Sequence, residues 1–261
     1  MPERRTKKFA NFFFSRFYGL EQRLFDLYLG TSTTGLQLTD SDFFHTGSDY
    51  WPYAGCQWPA LRHALNKLNP TRSDVFVDLG AGKGKALLVA ARLPYSRAVG
   101  VELDAEIAAC AKRNLERARR KLKAPIVDSD IGNVLEWPIP DDASTIFMYN
   151  PFFGHTFRQV LSKVFDSYDR NPRRLHIIYE HPWEHDWLVS TGRVVVENVR
   201  SRTWPGRRGW WERGDVTITY HVIGAGEPKP HCPAAARSAA SKAMQRWSGP
   251  NGFRFDGSLP K

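Results

Sequence analysis

The sequence predicts an α/β fold, a doubly wound sheet of mainly parallel strands with helices on both faces, preceded by an N-terminal helical extension. Three observations carry this. Short apolar, β-branched runs alternate with segments of helical periodicity from Val75 to Val189. The first run, Val75 to Leu79, passes into the glycine-rich turn Gly80-Ala81-Gly82-Lys83-Gly84, and a helix-forming segment, Lys85 to Leu93, follows at once. The later runs end in acids or in Asn-Pro, and in an open parallel sheet the carboxyl ends of the strands are where ligands bind.

Strand one carries Asp78 two residues before Gly80. Glycines in such a turn accept positive φ and let a ligand approach the backbone, and the next helix offers its free N–H groups. The dinucleotide fingerprint needs a third glycine at position 85, where Lys85 stands. Arg97 to Leu103 reads as a second, buried parallel strand. Its end, Glu102, is placed to accept both ribose hydroxyls of a nucleoside, a device that NAD enzymes share. Asp104 is the expected N-cap of a long helix, with Glu106 in its first turn. Ala124 to Val127 is the expected third strand, ending in Asp128-Ser129-Asp130. Ser144 to Tyr149 is the fourth and runs into Asn150-Pro151-Phe152-Phe153-Gly154. His155 to Tyr168 then places Phe157, Val160, Leu161, Val164 and Phe165 on one helix face. Leu175 to Tyr179 is a fifth strand, ending in Glu180-His181-Pro182-Trp183, with a helix over Glu184 to Val189. Arg193 to Val199 and Asp215 to Ile223 read as a final antiparallel pair, joined by a linker over Ser201 to Gly214 that is rich in Arg, Trp and Gly.

The spacing Asp78-x-Gly80-x-Gly82-x-Gly84 resembles the first motif of class I S-adenosylmethionine (SAM) dependent methyltransferases. Asn150-Pro151-Phe152 resembles the Asn/Asp-Pro-Pro-Tyr/Phe motif of amino-group methyltransferases, with Phe152 in place of the second proline. From Phe25 to Val189 the chain is similar to a large group of bacterial enzymes of this class, through FDLYLGTSTTGL from Phe25, FVDLGAGKGKALLVAARLP from Phe76, VGVELD from Val99 and MYNPFFG from Met148. A looser similarity is to non-SET protein-lysine methyltransferases. The resemblance implies a Rossmann-like seven-stranded sheet closed by the antiparallel pair, with SAM as cofactor. It implies that Gly80, Ala81, Gly82 and Gly84 admit the amino-acid end of SAM and that Asp78 orients its amino group through water. It places Glu102 on the ribose, Leu103 on the adenine, and an acid at the adenine amino group, for which Asp130, followed by Ile131, is favoured over Asp128. Asn150, Pro151 and Phe152 are the implied catalytic residues. The Asn oxygen and the following carbonyl accept both hydrogens of an amine, and the aromatic ring holds the acceptor. His155, Tyr149, His181 and Glu180 are candidate proton acceptors because they follow strand ends. Two departures fall near the implied substrate side. Tyr53-Ala54-Gly55-Cys56 stands where relatives carry Tyr-Glu-Pro-Thr, and His181-Pro182 where they carry Asn-Pro. Protein amino groups lead as acceptor, ahead of nucleic acid and small molecules. A SAM-fold binding protein without transfer, and a nicotinamide-nucleotide oxidoreductase, are the competing classes.

A chain of 261 residues has room for one α/β domain with a substantial core. The expected division is an N-terminal extension over 1–70, the SAM-binding domain over 71–224 and a disordered tail over 225–261. The extension carries Phe9, Phe12, Phe13, Phe17, Leu20, Leu24 and Leu27 at helical spacing, expected first to pack on the catalytic core, with a membrane-surface helix or a partner-binding face as the alternatives. Asp42 to Trp51 is expected to form a lid or entry segment near SAM. The formal net charge of +10 favours an acidic partner. Lys112, Arg113, Arg117, Arg119, Arg120, Lys121 and Lys123 recur around their helix, as on a solvated face. In the late linker Arg207, Arg208 and Arg213 interleave with Trp204, Trp210 and Trp211, which suits base stacking, a lipid surface or cover for the sheet edge alike. Cys56, Cys110 and Cys232 show neither metal nor disulfide spacing, so no metal site is expected and a reduced, cytoplasmic setting is. Cys110 is expected in the core. No apolar run is long enough to span a membrane, and no signal-peptide pattern opens the chain.

Overall fold

A computed structural model describes residues 20–34, 36–37, 49–50, 53–202 and 215–227. Helix α1 occupies residues 20–29, followed by β1 (Leu36–Gln37), β2 (Tyr53–Ala54), α2 (Trp58–Leu68), β3 (Val75–Leu79) and α3 (Lys85–Ala91). Then come β4 (Arg97–Glu102), α4 (Ala105–Ala118), β5 (Ile126–Ile131), β6 (Thr145–Tyr149) and α5 (Gly154–Arg170). The described chain closes with β7 (His176–Glu180), α6 (His185–Ser190), β8 (Val194–Arg202) and β9 (Asp215–Val222). β1 and β2 form a small antiparallel pair, and the other strands form one seven-stranded sheet in the order β5-β4-β3-β6-β7-β9-β8. β5 through β7 run parallel, and β9 pairs antiparallel with both β7 and β8. The doubly wound sheet closed by an antiparallel pair is the one the sequence predicts.

Alternation along the central strands builds two cores, one on each face of the sheet. Val75, Val77 and Leu79 of β3, Ile146 and Met148 of β6, and Ile177 and Tyr179 of β7 pack with Phe157, Val160, Leu161 and Val164 of α5. On the other face Phe76, Phe147 and Ile178 pack with Leu61 and Leu65 of α2 and with Ala86 to Ala91 of α3. α2 therefore packs on the central sheet, although it precedes residue 71. Every residue of α3 is buried, which is why this segment reads as a short apolar block rather than an amphipathic stripe. α4 keeps Ile107, Ala108, Ala111, Leu115 and Ala118 inward. Its basic residues are exposed, as a solvated face requires.

Three local expectations change. The third strand begins at Ile126 and continues through Asp128 and Asp130 to Ile131, pairing with all of β4. It is the edge strand of the sheet, with one side facing water, so its alternate carboxylates do not end it. Cys110 is half-buried, with its thiol directed at the Ser32 carbonyl, because the inward stripe of α4 passes through Ala111 instead. In α1, Leu20, Leu24 and Leu27 are exposed and the buried stripe is Gln22, Phe25, Asp26 and Leu29. Polar anchors set that choice. The Asp26 carboxylate accepts from the backbone N–H groups of Thr33 and Thr34 and from the hydroxyls of Thr31, Thr33 and Thr34. Burial pushes the Asp26 carboxyl up, but these bonds outweigh it and hold it below the usual carboxylate value. The earlier part of the apolar stripe, most of the lid segment, the Arg/Trp linker beyond Arg202 and the tail beyond Glu227 lie outside the described residues. Among the described residues no helix is long and apolar enough to cross a membrane.

Candidate active site

The order of the sheet reverses between β3 and β6, and a cleft opens there at the carboxyl ends of the strands. Gly80, Gly82 and Gly84 all hold positive φ, at 86°, 55° and 80°. Gly80 N–H and Ala81 N–H donate to the Val101 carbonyl at 3.0 and 2.9 Å, which ties the turn to β4. A β-carbon on Gly80 would sit 2.5 Å from Pro151 Cβ, and one on Gly82 would sit 2.3 Å from the Tyr53 ring. The glycines thus admit the chain's own Pro151 and Tyr53, which stand over the turn beside the cleft. Tyr53 is placed by its hydroxyl, which donates to the Thr33 carbonyl at 2.6 Å, and so by the threonine turn that Asp26 organises. Asn114 of α4 fastens the same turn to the glycine loop, accepting from Ser32 N–H at 2.9 Å and donating to the Lys83 carbonyl at 3.0 Å.

Glu102 closes β4 as expected. One of its oxygens accepts from Gly82 N–H at 2.8 Å, the other from Asp104 N–H at 3.0 Å. Burial raises the Glu102 carboxyl above its usual value despite those bonds. Leu103 beside it is 40% exposed toward the cleft. Asp104 caps α4, accepting from Glu106 and Ile107 N–H at 2.9 Å each. Asp78 is buried behind the loop, and burial together with the Glu102 charge pushes its carboxyl well up. A carboxyl whose folded pKa lies above its unfolded value costs stability as the pH rises past that unfolded value, here 3.8. Asp78→Asn is therefore expected to stabilise the fold at neutral pH by about 1–3 kcal/mol. The gain should be smaller at pH 5 than at pH 8 in paired thermal melts.

Tyr149, Pro151 and Phe152 carry β6 into the cleft wall, with Asn150 buried behind them. Asn150 holds φ at +44°, and His181, at the matching end of β7, at +51°. Non-glycine residues in that region cost about 1–2 kcal/mol each and gather at functional sites. Asn150 Oδ1 accepts from the buried Tyr179 hydroxyl at 3.1 Å. Gly154 N–H donates to Glu184 Oε1 at 2.7 Å and Thr156 N–H to Asp49 Oδ2 at 2.9 Å, so two carboxylates satisfy the first turn of α5. Phe153 N–H donates to the Asp49 carbonyl, and Tyr50 bridges to Phe152. The described end of the expected lid segment thus lies against the Asn-Pro loop.

The cleft encloses about 720 Å³ of empty space, its open mouth included. Of the residues singled out in the sequence, Gly80, Gly82, Glu102, Leu103, Pro151 and Phe152 line it. Asp78, Ala81, Gly84, Asp130, Ile131 and Asn150 are not on the wall. Asp130 lies on β5 and accepts from the Trp137 indole N–H at 2.7 Å, and the wall beyond β5 is made by Gly132 and Val134 instead. Among the four candidate proton acceptors Tyr149 alone lines the cleft, its ring 5.2 Å from that of His181. His155 is exposed on α5, and Glu180 is fully buried, accepting from Gln57 N–H at 2.9 Å. Sequence reasoning placed Tyr50 in the segment expected near the cofactor, missed Ile107, Gly132 and Val134 as lining residues, and left Tyr53 as a departure. Tyr53 lies too far from Gly82 in the chain for any local pattern to join them.

Residues 44–125 match the model of the family described as histone methylation protein DOT1. No curated protein matches the sequence. Among solved structures, the chain is similar to an RNA methyltransferase from Salinibacter ruber in complex with S-adenosyl-L-homocysteine. That pair shares 19% identity over 66% of this chain and 95% of the other, with a TM-score of 0.43. A TehB-like SAM-dependent methyltransferase from Corynebacterium glutamicum is 11% identical over 62% and 87% of the chains, with a TM-score of 0.44. Geranyl diphosphate C-methyltransferase from Streptomyces coelicolor is 15% identical over 63% and 80%, with a TM-score of 0.46. The strand order β5-β4-β3-β6-β7-β9-β8 makes this the class I methyltransferase sheet.

Proposed function

We propose that the protein transfers the methyl group of SAM to an amino nitrogen, with a protein side chain as the leading acceptor and nucleic acid or a small molecule behind it. One observation carries the reading. The glycine loop, the Glu102 carboxylate and the Pro151-Phe152 wall meet in a single cleft at the point where the sheet order reverses. The residues fit a nucleoside with an amino-acid tail. Glu102 has been forced into a site where its charge is disfavoured, and hydroxyl donors there stabilise it. Leu103 and Ile107 offer an apolar face for a base, and Gly80 with Gly82 leaves backbone within reach of the tail.

Bound there, SAM supplies a methyl group on a sulfonium, an electrophile that needs no covalent enzyme intermediate. The chain's part is to exclude water and to hold an acceptor nitrogen in line. Asn150 is held between Tyr149 and Pro151 and has one Oδ1 lone pair left after the Tyr179 bond, enough for one amine hydrogen. Tyr149 and Phe152 flank it on the wall. An ammonium acceptor must first lose a proton, which water at the open mouth of the cleft can take, and the Tyr149 hydroxyl is placed to hydrogen-bond the resulting amine. The family matched by residues 44–125 supports a protein acceptor. The formal net charge of +10 supports an acidic partner or acidic surroundings.

The test is calorimetric titration with SAM, followed by methyl transfer from labelled SAM into fractionated cell extract. Micromolar binding and label in protein that base-stable amine linkages retain would bear the reading out. Binding without S-adenosylhomocysteine release from any fraction would favour a SAM-fold binding protein, and binding of NADH in place of SAM would remove the reading altogether.

A further inference from the structure

The foot of the sheet, at the opposite end from the glycine loop, carries a second group of side chains with donor chemistry. His176 opens β7 and pairs in register with His221 of β9. Their ring centroids lie 5.2 Å apart. On the other side of β9, Val195 pairs with His221, and the ladder then slips between Val196 and Asn198. Such a bulge re-aims a side chain. Here it leaves Glu197 out of register, with Oε2 3.2 Å from His176 Nε2. One donor atom each from His176, Glu197 and His221 lies within 4.8 Å of the others. His221 Nδ1 is buried and makes no hydrogen bond among the described residues.

We propose that His176, Glu197 and His221 bind a divalent transition-metal ion of the zinc type. Two imidazoles and one carboxylate are a donor set that suits Zn²⁺, and three protein ligands leave a fourth position for water. With metal–ligand distances of about 2.0–2.2 Å, neighbouring donors of a tetrahedral site stand roughly 3.3 Å apart. His176 Nε2 and Glu197 Oε2 already stand at 3.2 Å. A plain His176–Glu197 ion pair uses the same two atoms but gives the buried His221 nitrogen nothing to do, and buried polar atoms are rarely left so. The nearby cations are engaged elsewhere: Arg174 donates to the Leu68 carbonyl at 2.8 Å and Lys67 to Asn198 Oδ1 at 2.8 Å. A metal here ties together β7, β9 and β8, the antiparallel edge of the sheet. It is separate from the cofactor cleft, since His176 pairs with Thr145 at the start of β6 and the cleft lies at that strand's end.

The experiment uses the full chain, stripped with a chelator, dialysed, and titrated calorimetrically with zinc chloride, with thermal melts alongside. One zinc per chain is expected, and at a hundredfold excess over Kd a rise in Tm of roughly 5–10 °C. Glu197→Gln and His221→Asn, both at positions open to solvent on one side, should each weaken zinc binding at least about tenfold and so lose about half or more of the zinc-induced rise in Tm at the same zinc concentration. They are preferred to a change at His176, whose burial exposes the fold itself to damage. Stripped wild type that takes up no zinc would overturn the proposal. So would uptake that both variants retain undiminished, as adventitious binding at cysteines would give.

Discussion

Replacing Glu102 by alanine is expected to weaken SAM binding at least about a hundredfold. The carboxylate is proposed to accept two ribose hydroxyls, and hydrogen bonds to a charged group contribute about 1.5–3 kcal/mol each. Losing two therefore removes at least about 3 kcal/mol, and each 1.4 kcal/mol is tenfold in affinity. A second loss follows from the geometry. Glu102 also accepts from Gly82 and Asp104 N–H, so the alanine variant frees the glycine loop from the tip of β4. Glu102→Gln separates the two effects, since its amide oxygen can still accept from one of these groups while the charge is gone. Calorimetry on folded samples decides the matter. Equal SAM affinity in wild type and Glu102→Ala would remove Glu102 from the cofactor site and, with it, the main support for a nucleoside in this cleft.

Asn150→Ala is expected to leave SAM affinity within about threefold and to lower turnover by about a hundredfold or more. Its proposed work is to orient the acceptor, and misplacing a reacting group by about 1 Å can cost that much. The backbone complicates the variant. Asn150 sits at φ +44°, where a residue with a β-carbon and no local hydrogen bond is strained by about 1–2 kcal/mol. The buried Tyr179 hydroxyl also loses its acceptor, at a further cost of about 1–3 kcal/mol. Asn150→Gly relieves the first problem and Tyr179→Phe avoids the second. If loss of the carboxamide matters to the chemistry, Asn150→Gly will lose turnover as Asn150→Ala does, and Tyr179→Phe will lose much less. Asn150→Ala turning over at the wild-type rate would end the assignment of an amine-orienting role.

Much of this could be read along the chain because it depends on neighbours in sequence. The turn after Leu79 needs positive φ at three alternate positions, and only glycine supplies that without strain. Asp104 caps α4 through N–H groups two and three residues on. β6 ends at an Asn-Pro because the chain must turn sharply there. The misreadings are also physical. Asp130 seemed to follow a strand end, but edge pairing with β4 carries the strand through it and turns its carboxylate to Trp137. Leu20, Leu24 and Leu27 formed the more apolar stripe of α1, yet the stripe that packs is the one whose Asp26 holds the threonine turn.

The sequence by itself determined the fold class and the local machinery, namely the strand–glycine turn–helix unit, the acid at the tip of β4 and the Asn-Pro loop after β6. Each of these is specified within about ten residues by periodicity, capping and backbone freedom. The tertiary structure decided what faces the cleft and what stands behind it. Tyr53 over Gly82, Asn114 on the threonine turn, and Tyr179 on Asn150 join residues that are 29 or more apart in the chain. The grouping of His176, Glu197 and His221 depends on strand register and on a single bulge. Contacts of that kind arise from sheet order and pairing, which no local pattern encodes.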